Sequence, residues 1–209
     1  MPPTNTYLDA AQTANFGRPD PDRLARLDGA ALRTYIADCV EARDRLVAQF
    51  AWAIPNDAAL ALLAAHAPLI ELGAGTGYWA ALLRRYDVDI LAFDARPPGS
   101  ARHGNDWHRN QLAVGTCWTE VRRGTPAILR GGAYADRTLF LCWPPPGSMA
   151  VRALRAYAGP TLALIRCCED ENGDAAFYAL LDRAWQCETM VAIPQWDGVQ
   201  DTLTIWRRA

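Results

Sequence analysis

Residues 67–83 read Ala67-Pro-Leu-Ile-Glu71-Leu-Gly73-Ala-Gly75-Thr-Gly77-Tyr-Trp79-Ala-Ala-Leu-Leu83. A short apolar run leads into an acidic residue, three alternating glycines follow, and apolar residues then recur at helical spacing. This order predicts a strand, a tight turn and a helix. Glycines let the backbone turn sharply, and the N–H groups that begin the following helix point at whatever polar group lies there. The junction therefore predicts a ligand-binding site.

Glycine turns of this kind serve two classes of cofactor. A dinucleotide-binding turn places its third glycine three residues after the second, but Tyr78 occupies that position here. The order Glu71, Gly73, Gly75, Gly77 instead resembles the motif of class I S-adenosylmethionine (SAM) methyltransferases. A strand-to-helix turn that binds nothing is the remaining alternative.

A second acidic residue supports the cofactor site. The apolar run that begins at Val88 ends at Asp94, about 20 residues beyond the glycine turn, where a carboxylate can accept hydrogen bonds from both ribose hydroxyls. Asp94 is therefore the predicted ribose ligand. The resemblance implies further cofactor contacts along the same edge of the sheet, from Ala74, Ala95, Gly124 and Cys142.

The resemblance covers residues 52–207 and implies an α/β fold. Its expected core is a seven-stranded, mostly parallel Rossmann-like sheet with helices on both faces and a C-terminal β-hairpin. We expect a methyltransferase domain over residues 52–209, preceded by a tail and helical extension over residues 1–51. That extension either lies over the active site or pads one side of the sheet.

Three expectations concern local structure. Residues 1–21 are rich in Pro, Asn and Thr, which predicts no regular structure, and helical periodicity begins near residue 22 with a break at Gly29. Residues 117–121 are predicted to form the third strand. Trp52 either packs in the core or reaches the cofactor pocket.

A strand over residues 138–142 ends in Trp143 and three prolines, which cannot donate to a sheet ladder. The position resembles the Asp/Asn/Ser-Pro-Pro-aromatic motif of amino-group methyltransferases, whose polar side chain and carbonyl hold the target amine. Trp143 and Pro146 replace its polar and aromatic residues, which argues against DNA adenine methylation by the usual route. Trp143 and Pro144 are the predicted substrate-positioning residues, through an aromatic wall and backbone carbonyls.

The long irregular segment over residues 95–116 leaves a strand at the edge where ligands collect. His108 is a candidate for positioning the substrate, beside Asp106 and Trp107. The alternative is a polar surface loop. The acidic residues 169–174 follow the fifth predicted strand, where they either recognise a cationic substrate or form a solvated loop.

Composition restricts the class of protein. The 209 residues carry a net charge of −2, all 21 basic residues are arginine, and no long apolar run is present. A lysine nucleophile is excluded, while a basic nucleic-acid face and a membrane span are disfavoured. The six cysteines lack paired spacing, so no metal is expected and the default compartment is the cytoplasm. Residues 51–55, 71–80 and 141–145 together resemble a group of small bacterial SAM-dependent methyltransferase-like proteins, which implies a bacterial source. A homodimer is left open.

The favoured function is a SAM-dependent methyltransferase that acts on N or O of a small-molecule acceptor, with S-adenosylhomocysteine as product. Methyl transfer is a displacement at an activated sulfonium, so the lack of an obvious catalytic dyad is no objection. Two alternatives remain. One is methylation of a protein or RNA; the other is a SAM-fold protein with non-methylating chemistry, or one that only senses SAM.

Overall fold

The computed structural model describes residues 5–98, 117–167 and 172–209. Within these ranges the chain forms one seven-stranded sheet with the strand order β3-β2-β1-β4-β5-β7-β6. The strands are β1 (Leu69–Leu72), β2 (Ile90–Asp94), β3 (Arg122–Arg123), β4 (Thr138–Cys142), β5 (Thr161–Arg166), β6 (Trp185–Ala192) and β7 (Thr202–Arg208). The α-helices are α1 (Thr6–Thr13), α2 (Pro21–Leu24), α3 (Gly29–Gln49), α4 (Asp57–Ala64), α5 (Tyr78–Arg85), α6 (Met149–Ala156) and α7 (Ala175–Ala184).

The sheet is parallel except at one strand. The first five strands pair in parallel, whereas β7 runs antiparallel to both β5 and β6. The last two strands therefore form the C-terminal β-hairpin that was predicted. This arrangement confirms the predicted fold class, a mostly parallel Rossmann-like sheet with helices on both faces.

The central strands are buried on both faces, as parallel sheets require. Successive side chains alternate between two cores: Leu69 packs on one face with α4 and α5, while Ile70 packs on the other with α6 and α7. Glu71 shares the face of Leu69 because the side-chain period of a strand is two. The acidic residue of the glycine motif therefore lies beneath α5.

The expectation that residues 1–21 lack regular structure is wrong. Asn5 caps α1 by accepting a hydrogen bond from the Leu8 N–H, and Tyr7 and Ala11 are fully buried. The Tyr7 hydroxyl donates to the Ala51 carbonyl at 2.7 Å and accepts from the Trp196 indole at 3.1 Å. Two buried side chains spaced four residues apart hold this helix, although its composition is typical of a loop.

The predicted third strand is also misplaced. Pairing with β2 involves Arg122 and Arg123 rather than residues 117–121. The apolar residues of the predicted strand have another use, because Trp118 stacks on Phe50 and donates its indole N–H to the Gln49 carbonyl. Its apolar character reflects packing against the end of α3, not burial within the sheet.

The helices of the N-terminal region otherwise follow the predicted pattern. α2 and α3 are separated near Gly29, which begins α3 with a φ of 45°. No helix in the described part of the chain is long and apolar enough to cross a membrane. The division of the chain at residue 51 stays a prediction.

Candidate active site

A cavity of about 320 Å³ opens at the carboxyl ends of the central strands. In open parallel sheets, ligands bind at this edge, at the point where the strand order reverses. That point is β1 here, because β2 pairs with one side of it and β4 with the other. The lining comprises Phe50, Ala51, Trp52, Glu71, Leu72, Gly73, Ala74, Gly75, Thr76, Trp79, Asp94, Ala95, Arg96, Gly124, Thr125, Pro126, Cys142, Trp143, Pro145, Pro146 and Met149.

The three glycines of the motif have different roles. Gly73 and Gly75 line the cavity with φ values of 83° and 52°, in the left-handed region that favours glycine. Gly77 does not line it. A Cβ atom at Gly77 would lie 2.6 Å from Cγ2 of Val121, so this glycine permits the start of α5 to pack closely against the segment before β3.

Asp94 organises the turn opposite it. Its carboxylate accepts hydrogen bonds from the Gly75 N–H at 2.9 Å and from the Arg96 N–H at 2.7 Å, and only 5% of the residue is exposed. Each bond goes to a different oxygen, and a carboxylate oxygen accepts more than one hydrogen bond. Asp94 therefore fixes the glycine turn while retaining acceptor capacity at the cavity.

Glu71 is a buried acid with an unsatisfied oxygen. It is 2% exposed, and its Oε2 has no hydrogen-bond partner among the described residues. Burial raises the pKa of the carboxyl to about 8, with Arg84 opposing the shift and Asp94 adding to it. A positively charged ligand in the cavity would satisfy this oxygen and favour the carboxylate, because an opposite charge stabilises the ionised form.

The remaining predicted cofactor contacts also reach the cavity. Ala74, Ala95, Gly124 and Cys142 all line it, and the Gly124 N–H donates to the Asp94 carbonyl at 2.8 Å. Burial is the main cause that raises the pKa of the Cys142 thiol well above its ordinary value. Cys142 is therefore a neutral thiol rather than a reactive thiolate.

Two tryptophans form an aromatic wall of the cavity. The rings of Trp143 and Trp52 stack with 4.9 Å between centroids and 12° between planes. Trp143 has a φ of 49°, a left-handed conformation that costs about 1–2 kcal/mol for a residue with a side chain. Trp52 takes both positions that the sequence allowed, because it lines the cavity and also packs against the core that contains Leu69.

Asp201 is a buried acid that forms a hydrogen bond with Trp143 in this wall. It is 1% exposed, and its Oδ1 accepts a hydrogen bond from Nε1 of Trp143 at 2.7 Å. Its Oδ2 has no partner in the part of the chain that the structure describes. Burial raises the pKa of Asp201 to about 7, although the bond from Trp143 lowers it. No sequence signal marks this residue, since it stands in a polar turn far from every motif.

The proline run enters the site only in part. Pro145 and Pro146 line the cavity, but Pro144 is buried and does not. The Pro144 carbonyl accepts hydrogen bonds from the Gly173 N–H at 3.1 Å and from Nδ2 of Asn172 at 3.5 Å. The structure therefore brings Trp143 to the cavity and turns Pro144 away from it. His108, with Asp106 and Trp107, lies outside the described residues.

Phe50 is a cavity residue that sequence reasoning missed. Its ring stacks between Tyr7 and Trp118, at 4.8 and 5.1 Å between centroids. The Thr76 hydroxyl donates to the Phe50 carbonyl, which ties the end of α3 to the glycine turn. The only available signal was helical periodicity, which predicts burial but not a position beside a ligand. Arg96 and Met149 also line the cavity.

Comparison with known proteins finds no matching family model and no matching curated protein. Solved methyltransferase structures are similar at low identity. Magnesium protoporphyrin IX methyltransferase from Synechocystis PCC 6803 with bound S-adenosylhomocysteine is 14% identical, with a TM-score of 0.49, covering 99% of this chain and 100% of that chain. An rRNA methylase from Streptococcus thermophilus is 11% identical, with a TM-score of 0.42, covering 72% and 94%.

N,N-8-amino-8-demethyl-D-riboflavin dimethyltransferase from Streptomyces davawensis is also similar. It is 16% identical, with a TM-score of 0.42, covering 98% of this chain and 69% of that chain.

Proposed function

We propose that this protein is a SAM-dependent methyltransferase that acts on N or O of a small-molecule acceptor. The observation that carries the proposal is the pairing of Glu71 and Asp94 across one glycine turn, at the carboxyl ends of adjacent strands. Asp94 faces the Gly75 N–H at 2.9 Å, and Glu71 presents a buried oxygen that no described residue satisfies. A cofactor with ribose hydroxyls and a cationic arm matches these two acids.

The residues fit the cofactor from end to end. Asp94 would accept hydrogen bonds from the ribose, while Gly73, Ala74 and Gly75 provide a turn without bulky side chains. Glu71 would stabilise the cationic amino-acid arm. Ala95 and Gly124 would flank the adenine, and Cys142 would close the cavity at the end of β4. When bound, SAM supplies an activated methyl group on a sulfonium.

In such a reaction the protein holds the acceptor atom in line with the bond between the methyl group and sulfur, and it excludes water. Trp52 and Trp143 form the wall at which an acceptor would lie, next to Pro145 and Pro146. Aromatic faces hold planar groups by stacking and cations by their quadrupole. Among the described lining residues there is no histidine, lysine or tyrosine, so an acceptor that needs no strong base suits the site.

We propose in addition that the N-terminal extension covers the pocket, because Phe50 and Ala51 at its end line the cavity. His108 remains a predicted substrate-positioning residue.

Turnover with labelled SAM tests this function. Purified protein would be incubated with methyl-labelled SAM and a panel of small amines and phenols, alongside bulk RNA and peptides. We expect label in a small acceptor and release of S-adenosylhomocysteine. Asp94→Ala should lose turnover, while Asp197→Ala, a change of an exposed acid, should keep it.

Other products would point to the alternatives. Methylthioadenosine without methylated acceptor would mean that the protein carries out different chemistry on SAM. Binding of SAM without turnover on any acceptor would favour a sensor. Either result would contradict the proposed methylation of a small molecule.

A further inference from the structure

A second cavity of about 380 Å³ lies between α6 and the 3-10 helix at Pro126–Gly132. Its lining comprises Pro126, Ala127, Arg130, Gly131, Arg152, Arg155 and Ala156. We call these residues the arginine groove. Three of its seven residues are arginines, and the others are small or apolar, so the chemistry of the groove is that of three guanidinium groups.

The positive charge of the groove is not neutralised within the described chain. No acidic residue lines it, and none of the three arginine side chains makes an ion pair or hydrogen bond to another described residue. Arg152 and Arg155 stand three residues apart on α6 and so share one face of the helix. Like charges so placed repel one another, and an anion bound between them would remove that repulsion.

The arginine groove and the active-site cavity share one lining residue. Pro126 lines both cavities, and Met149, the first residue of α6, lines the first one. Moving along α6 from Met149, the chain passes Arg152 and then Arg155. The groove therefore adjoins the active-site cavity at Pro126, two residues after Gly124.

We propose that the arginine groove binds phosphate groups. Guanidinium groups present a planar fork of donors that matches phosphate oxygens in pairs. Three such forks suit several phosphate oxygens better than one carboxylate, which a single fork would satisfy. Phosphate binding stands on the groove alone and does not depend on the proposed methyltransferase function.

Two sources can supply the phosphate: a small phosphate ester or an oligonucleotide backbone. Calorimetry with inorganic pyrophosphate and fluorescence anisotropy with a labelled hexauridylate, both on the full chain, separate them. Pyrophosphate binding without binding of the hexauridylate assigns a small phosphate ester. If both bind, and affinity for the hexauridylate falls with salt at a logarithmic slope of about −2 for three phosphate contacts, the backbone is assigned.

The variants Arg130→Ala, Arg152→Ala and Arg155→Ala should each weaken binding of the pyrophosphate by about tenfold, as expected for a charge-assisted bond. Arg183→Ala is the matched control. Arg183 is exposed and stands in the last turn of α7, as Arg155 does in the last turn of α6. The control should bind like the wild type.

The proposal is overturned if neither probe binds, or if the groove variants weaken binding no more than Arg183→Ala does. Conservative Arg→Gln changes at the same positions, with circular dichroism, show whether a loss arises from misfolding. SAM titration into the same variants separates the two proposals. Phosphate binding in a protein that never binds SAM would retain the groove and reject the methyltransferase, and the reverse result would reject only the groove.

Discussion

Replacement of Asp201 by asparagine should remove the decrease in stability that this acid causes between about pH 4 and pH 7. Burial raises the pKa of Asp201 from its ordinary 3.8 to about 7 in the folded protein. A raised pKa for an acid means that the folded state keeps a proton which the unfolded state has lost. Stability therefore falls as pH rises from about 4 to about 7, and it levels off above pH 7.

The magnitude follows from the size of the shift. About three pKa units at roughly 1.4 kcal/mol each correspond to a decrease of at most about 4 kcal/mol across this window. The side chain introduced by Asp201→Asn carries no titrating proton, and its amide oxygen can still accept the bond from Trp143. The free energy of unfolding of this variant relative to wild type should thus rise by up to that amount between pH 4 and pH 8.

Urea unfolding followed by tryptophan fluorescence at several pH values measures this difference. Glu71 contributes a slope of the same sign in both proteins, because its pKa is raised to about 8, so the comparison isolates Asp201. Asp197→Asn is the control, since Asp197 is half-exposed and makes only a surface ion pair with Arg18. If the Asp201→Asn and wild-type curves stay parallel over the whole range, the assignment of a buried, titrating Asp201 is refuted.

Two further changes test packing around the site. Gly77→Ala should cost about 2–4 kcal/mol of stability, because its φ is 75° and the new Cβ would lie 2.6 Å from Cγ2 of Val121. Gly198→Ala has a similar φ of 79° but nothing within 4 Å, so it should cost only about 1 kcal/mol; equal losses in urea unfolding would reject the packing role of Gly77. Tyr7→Phe should cost about 1–3 kcal/mol because it leaves the Ala51 carbonyl and the buried Trp196 indole without their partner. Tyr35→Phe, which removes only an exposed hydrogen bond from the Asp20 N–H, should be nearly neutral, and a Tyr7→Phe protein as stable as this control would show that α1 does not belong to the core.

Much of the sheet was predictable because its signals are local. Glycines between an apolar run and a helical pattern predict the β1–α5 turn, and an apolar run that ends in an acid predicts β2 and Asp94. Predictions failed where tertiary contacts decide. α1 is held by Tyr7, which is buried among residues distant in the sequence. Trp118 gives its segment the apolar character of a strand, but it packs on Phe50 instead of entering the sheet.

The residues of the candidate site also fall into a group that was predictable and a group that was not. Most of the predicted cofactor contacts follow from their positions at strand ends, and they line the cavity. The acceptor wall could be predicted only in part, since nothing local indicates that Trp52 stacks on Trp143 or that Asp201 accepts a hydrogen bond from Trp143. Such contacts join residues that are 58 or more positions apart, and periodicity carries no information over that distance.

Calorimetric titration of SAM and S-adenosylhomocysteine into wild-type protein and Asp94→Ala tests the central claim most directly, because it needs no knowledge of the acceptor. We predict that wild type binds both and that Asp94→Ala binds about 100-fold more weakly or not at all, since each charge-assisted ribose bond contributes about 1.5–3 kcal/mol. Asp94→Asn, which keeps one acceptor oxygen, should fall between them, and circular dichroism of each variant controls for folding. Wild-type protein that binds neither compound, or a folded Asp94→Ala that binds SAM as tightly as wild type, would contradict the assignment of this cavity as a SAM site.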